Sequence, residues 1–308
     1  MRNSIGAIGG SLKKQARERG VSSEIYLCRW VMDGFLRRLS RSKYARRFAL
    51  KGSLVFIPWH GDWLRSTNDI DLEGLDDADA GSMLGIIADI VALPVEKQDG
   101  VVFDLETLRT TPLVGSRVAG DRVLLRSHIG PARVRLKVDV GFGHPITPAP
   151  EERVYPSLLQ DFPSPTILCC TRETVVAEKL ATIVEFGADN TRIRDYYDLW
   201  TLSNRCFFDA AKVVKAIRRT FARRDAGEFL LRTDGYWEAA LDQEFASSRV
   251  GQIWATWIGE HSFEHMLPQF DDVLERVAEF ARPLLDGVRS NCIPDAVWRP
   301  RFGWVPRF

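Results

Sequence analysis

Lys51-Gly52-Ser53-Leu54-Val55-Phe56, followed by Arg65-Ser66-Thr67-Asn68-Asp69-Ile70-Asp71-Leu72, is the stretch on which the reading of this 308-residue sequence turns. Gly52-Ser53 is a small turn whose backbone N–H groups can meet a phosphate. Successive side chains of a strand point to opposite faces, so Asp69 and Asp71 project together while Ile70 enters the core. Two carboxylates side by side repel each other unless a cation lies between them. A hard divalent ion such as Mg²⁺ takes oxygen ligands, commonly one or two carboxylates plus substrate phosphates. A metal–phosphate site is therefore the first expectation, with Arg65 and the hydroxyls of Ser66 and Thr67 just before the acidic pair.

A third carboxylate comes from further along. Residues 133–140 alternate strictly, with Val134, Leu136, Val138 and Val140 on one face and Arg133, Arg135, Lys137 and Asp139 on the other. Three strand-borne carboxylates can clamp divalent ions that orient a nucleoside triphosphate for in-line displacement. Asp139 could also take the proton of an attacking hydroxyl. A plain salt bridge from Asp139 to Lys137 or Arg135 competes with both roles.

Composition is that of an ordinary globular protein, with 45% hydrophobic residues, 27% charged residues and a net charge of +1. No apolar run approaches the ~20 residues of a membrane span. The start of the chain has no secretory pattern. Five cysteines, two of them adjacent and none in a CxxC or Cys/His cluster, point to reduced thiols in the cytoplasm. His261 and His265 are four apart but lack an HExxH context and read as helix-surface residues.

Residues 1–22, rich in Gly, Ser, Lys and Arg, read as a flexible lead-in. Ser22 caps a helix running to about Leu39. Arg37, Arg38, Arg41, Lys43, Arg46 and Arg47 then form a basic patch, either a solvated helix end or a hold on RNA or nucleotide phosphates. A helix over 80–93 and strands at 101–103, 122–126 and 133–140 follow. Prolines crowd 145–165, where a linker is expected. After it the pattern turns helical, with a second basic face between Lys212 and Arg224. The tail from Pro294 is expected to be extended and docked on its own body, with nucleic-acid contact as the rival reading.

Taken together, Gly-Ser, D-x-D and a later strand carboxylate resemble the polymerase-beta-type nucleotidyltransferase superfamily. Closer matches point to the AbiEii/AbiGii toxin family. Leu50-Lys51-Gly52-Ser53 with residues 65–72 resembles its LKGG…R.S.DIDL block. Lys137–Gly141, Thr174–Ala181 and Asn190–Trp200 follow in the family's order. The departure is Ser53, where many members have a second glycine. The resemblance implies an α+β fold: an N-terminal nucleotidyltransferase lobe (1–165) with a mixed or antiparallel sheet flanked by helices, and a C-terminal helical lobe (166–308) completing the active-site cleft. It implies a Mg²⁺-dependent (or Mn²⁺-dependent) toxin of a toxin–antitoxin or phage-abortive-infection system. Such an enzyme moves nucleotides from an NTP to an acceptor, by this reading the tRNA 3′ end, and is countered by an antitoxin encoded nearby.

Carried over by residue, the resemblance implies that Gly52 and Ser53 contact phosphates and that Asp69 and Asp71 ligate the metal. It also implies that Lys179 steadies the triphosphate and that Asp198 is a catalytic carboxylate. Asp139 as a further metal ligand, and Arg65, Ser66 and Arg194 as further nucleotide contacts, are expected from the residues themselves. From spacing alone, Val176, Leu180, Ile183 and Val184 form a buried helix face, with Lys179 on a different one. Asp195 and Asp198 share a helix side, and Arg194 could pair with Asp198 instead. Tyr196, Tyr197 and Trp200 read as core or lobe-interface aromatics, with base stacking as the rival reading. Two rival functions stay open: transfer to a protein or a small molecule such as an antibiotic, and non-catalytic NTP binding.

Overall fold

The computed structural model describes residues 2–75, 83–113, 119–247, 249–261 and 268–307. The chain divides into two compact units: Met1–Gly143 with Glu151–Cys169, and His144–Pro150 with Cys170–Phe308.

The first unit opens with helix α1 (Arg2–Glu18) and helix α2 (Ser23–Arg41). Strand β1 (Phe48–Lys51), helix α3 (Phe56–His60), strand β2 (Ile70–Gly74) and helix α4 (Met83–Ala92) come next. Three long strands follow: β3 (Val101–Pro112), β4 (Gly120–Ile129) and β5 (Ala132–Phe142). β6 (Glu151–Val154) and β7 (Thr166–Cys169) complete one seven-stranded sheet in the order β3-β4-β5-β2-β1-β7-β6. It is mixed, because β2 runs parallel to β5 and β1 parallel to β7 while the other pairs are antiparallel. The α+β expectation for this half is met.

The lead-in expectation is corrected. Residues 2–18 are helical, and Ile8, Leu12 and Ala16 are buried at four-residue spacing, a stripe hidden among glycines and lysines. α2 matches its expected cap, since Ser22 Oγ accepts from the Glu24 N–H at 3.2 Å. The basic patch at its end is also corrected. Arg37 and Arg38 are buried and donate to Asp99 at 3.2 and 2.9 Å. Arg41, Lys43 and Arg46 pair with Glu96, Asp89 and Glu152. Arg37 and Arg38 serve the interior, and the exposed Arg41, Lys43 and Arg46 already have acidic partners, so the RNA-holding reading of that patch is withdrawn.

The stretch expected as a linker is split. Residues 144–150 belong to the second unit, whereas 151–169 add β6 and β7 to the sheet, and the first unit ends at Cys169 rather than at 165. Proline fixes an extended backbone without making it a connector; Tyr155 and Phe162 between those prolines are buried.

The second unit is mostly helical: α5 (Arg172–Phe186), α6 (Ile193–Arg205), α7 (Ala210–Arg224), α8 (Ala226–Leu230), α9 (Gln243–Ala246), α10 (Arg249–His261) and α11 (Phe270–Arg289). β8 (Phe208–Asp209) precedes α7, and the tail returns as β9 (Ala296–Arg299) and β10 (Gly303–Pro306), forming a three-stranded sheet with it. Trp298 is fully buried and donates to the Ser203 carbonyl at 2.7 Å, while Trp304 stacks on Phe280. The docked-tail reading therefore holds. Tyr196 and Tyr197 are core residues, as expected. His261 stacks on Trp257, and His265 lies outside the described residues. No helix among the described residues is long and apolar enough to cross a membrane.

Candidate active site

β1 and β2 are antiparallel, with Lys51 opposite Asp71, so the turn leaving β1 falls beside the acidic strand. Gly52 sits there with φ of 65°, a left-handed backbone that glycine adopts without strain. A Cβ on Gly52 would lie 2.0 Å from Asp71 Oδ2. The backbone of the Gly52-Ser53 turn thus closes directly on the Asp71 carboxylate, and only glycine allows the approach.

Ile70 is fully buried, and Asp69 and Asp71 flank it with partial exposure, as alternation requires. Asp71 lies in register with Asp139 on the neighbouring parallel strand β5. The structure thus gathers Gly52, Asp69, Asp71 and Asp139 in one place within the first unit. The Asp71 carboxyl is pushed up to about 7, first by burial and then by the charges of Asp69 and Asp139, with Lys51 and Lys137 pulling the other way.

The other carboxylates are held by cations. Lys137 Nζ donates to Asp69 Oδ2 at 2.8 Å, and Thr67 Oγ1 donates to Asp69 Oδ1 at 2.9 Å. Arg122 grips Asp139 with both Nε and Nη2 at 2.8 Å, and Lys137 lies 3.6 Å away. The salt-bridge reading of Asp139 is therefore realised, with Arg122 in place of Arg135. Arg65 and Ser66 are buried just before the pair, and Arg65 Nη1 donates to the Ser66 carbonyl.

Spacing along the chain gave no sign of Lys51, Glu73 or Arg122. Lys51 Nζ donates to buried Glu73 at 2.6 Å, and β4 brings Arg122 opposite Asp139. These are cross-strand relations, set by register rather than by local sequence.

In the second unit, Lys179 on α5 donates to Asp195 at 2.8 Å and to Asp198 at 2.7 Å, both on α6. Val176, Leu180, Ile183 and Val184 are buried as expected. The face carrying Lys179 is buried too, at 8% exposure, because α5 is enclosed almost all round. Asp198 turns to Lys179, while Arg194 remains exposed, so the alternative Arg194–Asp198 pair is not formed.

Among the described residues, no group of three or more His, Cys, Asp or Glu side chains is arranged to hold a metal ion. The pair Asp69 and Asp71 nevertheless has the chemistry of a hard-cation site, two carboxylates of which Asp71 is raised first by burial and then by the neighbouring negative charge.

The family model described as "Nucleotidyl transferase AbiEii toxin, Type IV TA system" matches residues 34–276. Among solved structures, a presumed nucleotidyltransferase from H. pylori is similar at a TM-score of 0.46 and 11% identity, covering 88% of this chain and 97% of that one. JHP933 from Helicobacter pylori is similar at a TM-score of 0.45 and 10% identity, covering 88% and 94%. Comparison with curated proteins gave no match.

Proposed function

The chain belongs to the AbiEii family of nucleotidyltransferase toxins from type IV toxin–antitoxin systems, and from that footing we propose that it transfers a nucleotide from an NTP to the 3′ end of tRNA. Translation then stops until a cognate antitoxin intervenes, and the work is done in the cytoplasm, where it can serve abortive infection by phage.

In the reaction the acceptor hydroxyl oxygen bonds to the α-phosphorus of the NTP. The bond from that phosphorus to the oxygen bridging to the β-phosphate breaks, pyrophosphate leaves with the electron pair, and the hydroxyl proton passes to a base. Asp69 and Asp71 would hold Mg²⁺, or Mn²⁺ in its stead, which supplies positive charge to the triphosphate and its leaving group. The Gly52-Ser53 turn offers backbone N–H groups to the phosphates, with Arg65, Ser66 and Arg194 assigned as further nucleotide contacts. Asp139 is the proposed proton acceptor and additional metal ligand, roles that require the Arg122 fork on its two oxygens to open. Lys179 and Asp198 take their catalytic assignment from the family pattern.

The observation that carries this reading is the Asp71 carboxylate, packed against a glycine turn with its carboxyl pushed up to about 7. Asp71 also carries the test. Removing Lys179 would strand two partly or fully buried carboxylates and confuse loss of fold with loss of chemistry. Purified protein incubated with Mg²⁺, tRNA and each labelled NTP should transfer label to the RNA. Asp71→Ala should remove at least ~99% of the activity and the growth inhibition, as expected for loss of an electrostatic group worth ~2.7–4 kcal/mol in the transition state. A folded wild-type protein that labels no RNA with any NTP would end the tRNA reading; a fully active Asp71→Ala protein would end the site assignment.

A further inference from the structure

On the outward face of β4 and β5, Arg122 and Lys137 are paired with carboxylates, but Arg126, Arg133 and Arg135 have no acidic partner among the described residues. Alternation along β4 buries Val123, Leu125, Ser127 and Ile129 and turns Arg126 and His128 outward. Register then sets Arg126 directly opposite Arg135, and His128 opposite Arg133. Like charges facing each other across neighbouring strands destabilise a sheet. All three arginines are exposed, and among the described residues no guanidinium hydrogen bond or ion pair engages them, Asp104 across from Arg126 included. The arginines at and just beyond the end of α2 behave in the opposite way: Arg37 and Arg38 share Asp99, and Arg41 and Arg46 pair with Glu96 and Glu152.

A second observation ties this face to the site. A cavity of about 510 Å³ is lined by Arg133, Arg135 and Lys137 with Asn68 and Cys28, and by one carboxylate, Glu24, against those three cations. Lys137 is also the residue that donates to Asp69. Cations at successive outward positions of a strand stand about 6.6 Å apart, from a rise of ~3.3 Å per residue. Such a row is matched by a ligand with several separated negative charges, whereas a lone phosphate would relieve only part of the repulsion.

We propose that this face seats the phosphate backbone of the nucleic-acid acceptor, its phosphates over Arg126, Arg133 and Arg135 and its reacting end toward the Lys137–Asp69 pair. The assignment rests on the transferase reading above and adds to it where the acceptor lies. Phosphate contacts of this kind position a strand and are independent of sequence.

The test compares Arg126→Gln/Arg135→Gln with Arg41→Gln/Arg46→Gln, which removes the same charge from exposed, ion-paired positions. Binding of tRNA is followed by fluorescence anisotropy over a series of salt concentrations, with NTP binding and nucleotide transfer measured alongside. The first variant should bind tRNA at least about tenfold more weakly, with a slope of log affinity against log salt smaller by about 1.5–2. The second should match the wild type. Arg126→Lys/Arg135→Lys, which keeps the charge, should recover most of the affinity and excludes misfolding as the cause of any loss. Unchanged tRNA affinity in the glutamine variant overturns the proposal. So does an equal loss in the control pair, or a loss confined to NTP binding. If the wild type transfers no label yet binds tRNA through Arg126 and Arg135, the transferase reading fails and the surface stands. If it transfers label and the glutamine variant binds tRNA normally, the surface alone fails.

Discussion

Asp71 sits where its charge is least favourable, and that has a consequence for pH. Its carboxyl titrates near 7 in the folded chain and near its ordinary value of 3.8 when unfolded. Between those values the folded state binds the extra proton, so its contribution to stability is fully present below 3.8 and is lost as pH rises through 7. Asp71→Asn cannot titrate. The urea midpoint of the wild type should therefore fall relative to that of Asp71→Asn across this window, in the absence of divalent cations. A difference that stays flat with pH would show that Asp71 ionises normally. Mg²⁺ competes with the same proton, so its stabilising effect on the wild type should grow over the window and level off above it. The acidic pair was legible in the sequence because alternation around Ile70 is a local property. The grip of Arg122 on Asp139, and Lys51 lying opposite Asp71, were not legible, because a one-residue slip in register would have changed every such pairing.

At the scale of elements, the helix α2 shows how a correct outline can carry a wrong interpretation. Its cap and its apolar spacing were plain in the sequence, and its extent matched. The arginines near its end looked like a surface for phosphates because a sequence does not show which carboxylates come to meet them. Asp99, distant in sequence, receives both Arg37 and Arg38 in the interior and also accepts from the Val101 N–H at 3.0 Å. Asp99→Ala should therefore destabilise the chain by about 3–5 kcal/mol, since it leaves two buried cations without a counter-charge. Arg46→Gln, which breaks an exposed pair with Glu152, should stay within about 0.5 kcal/mol. Urea unfolding measures both, and comparable effects from the two would contradict a structural role for Arg37 and Arg38. α1 was missed for a related reason: Ile8, Leu12 and Ala16 make only a narrow stripe, which becomes a buried face through its packing on α2. The strands β4 and β5 were found at their centres and run further at both ends, and β3 was found only at its start and runs on to Pro112, because pairing with neighbours extends a strand past its apolar residues.

For the molecule as a whole, the order of the motif blocks gave the fold class, while the course of the chain between the two units was not readable. The crossings fall at 143–144, 150–151 and 169–170, one within and one on either side of the proline-frequent stretch 145–165 that local composition marks as a single linker. The family match ends at 276, yet the chain beyond it is integral to the second unit. β9 pairs with both β8 and β10, and Trp298 is enclosed by Phe280 and Trp304, with Arg276 stacked over its ring at 4.4 Å. Phe302, at the turn of the same hairpin, is 72% exposed. If the tail exists to complete this core, the two aromatics must differ sharply. Trp298→Ala should cost about 3–5 kcal/mol, from a large cavity plus loss of one of the two donors to the Ser203 carbonyl, whereas Phe302→Ala should move stability by no more than about 0.5 kcal/mol. Urea unfolding followed by circular dichroism reads both. A Trp298→Ala protein as stable as the wild type would mean that the second unit holds without its tail, and that the tail's aromatic and basic residues serve a surface contact instead.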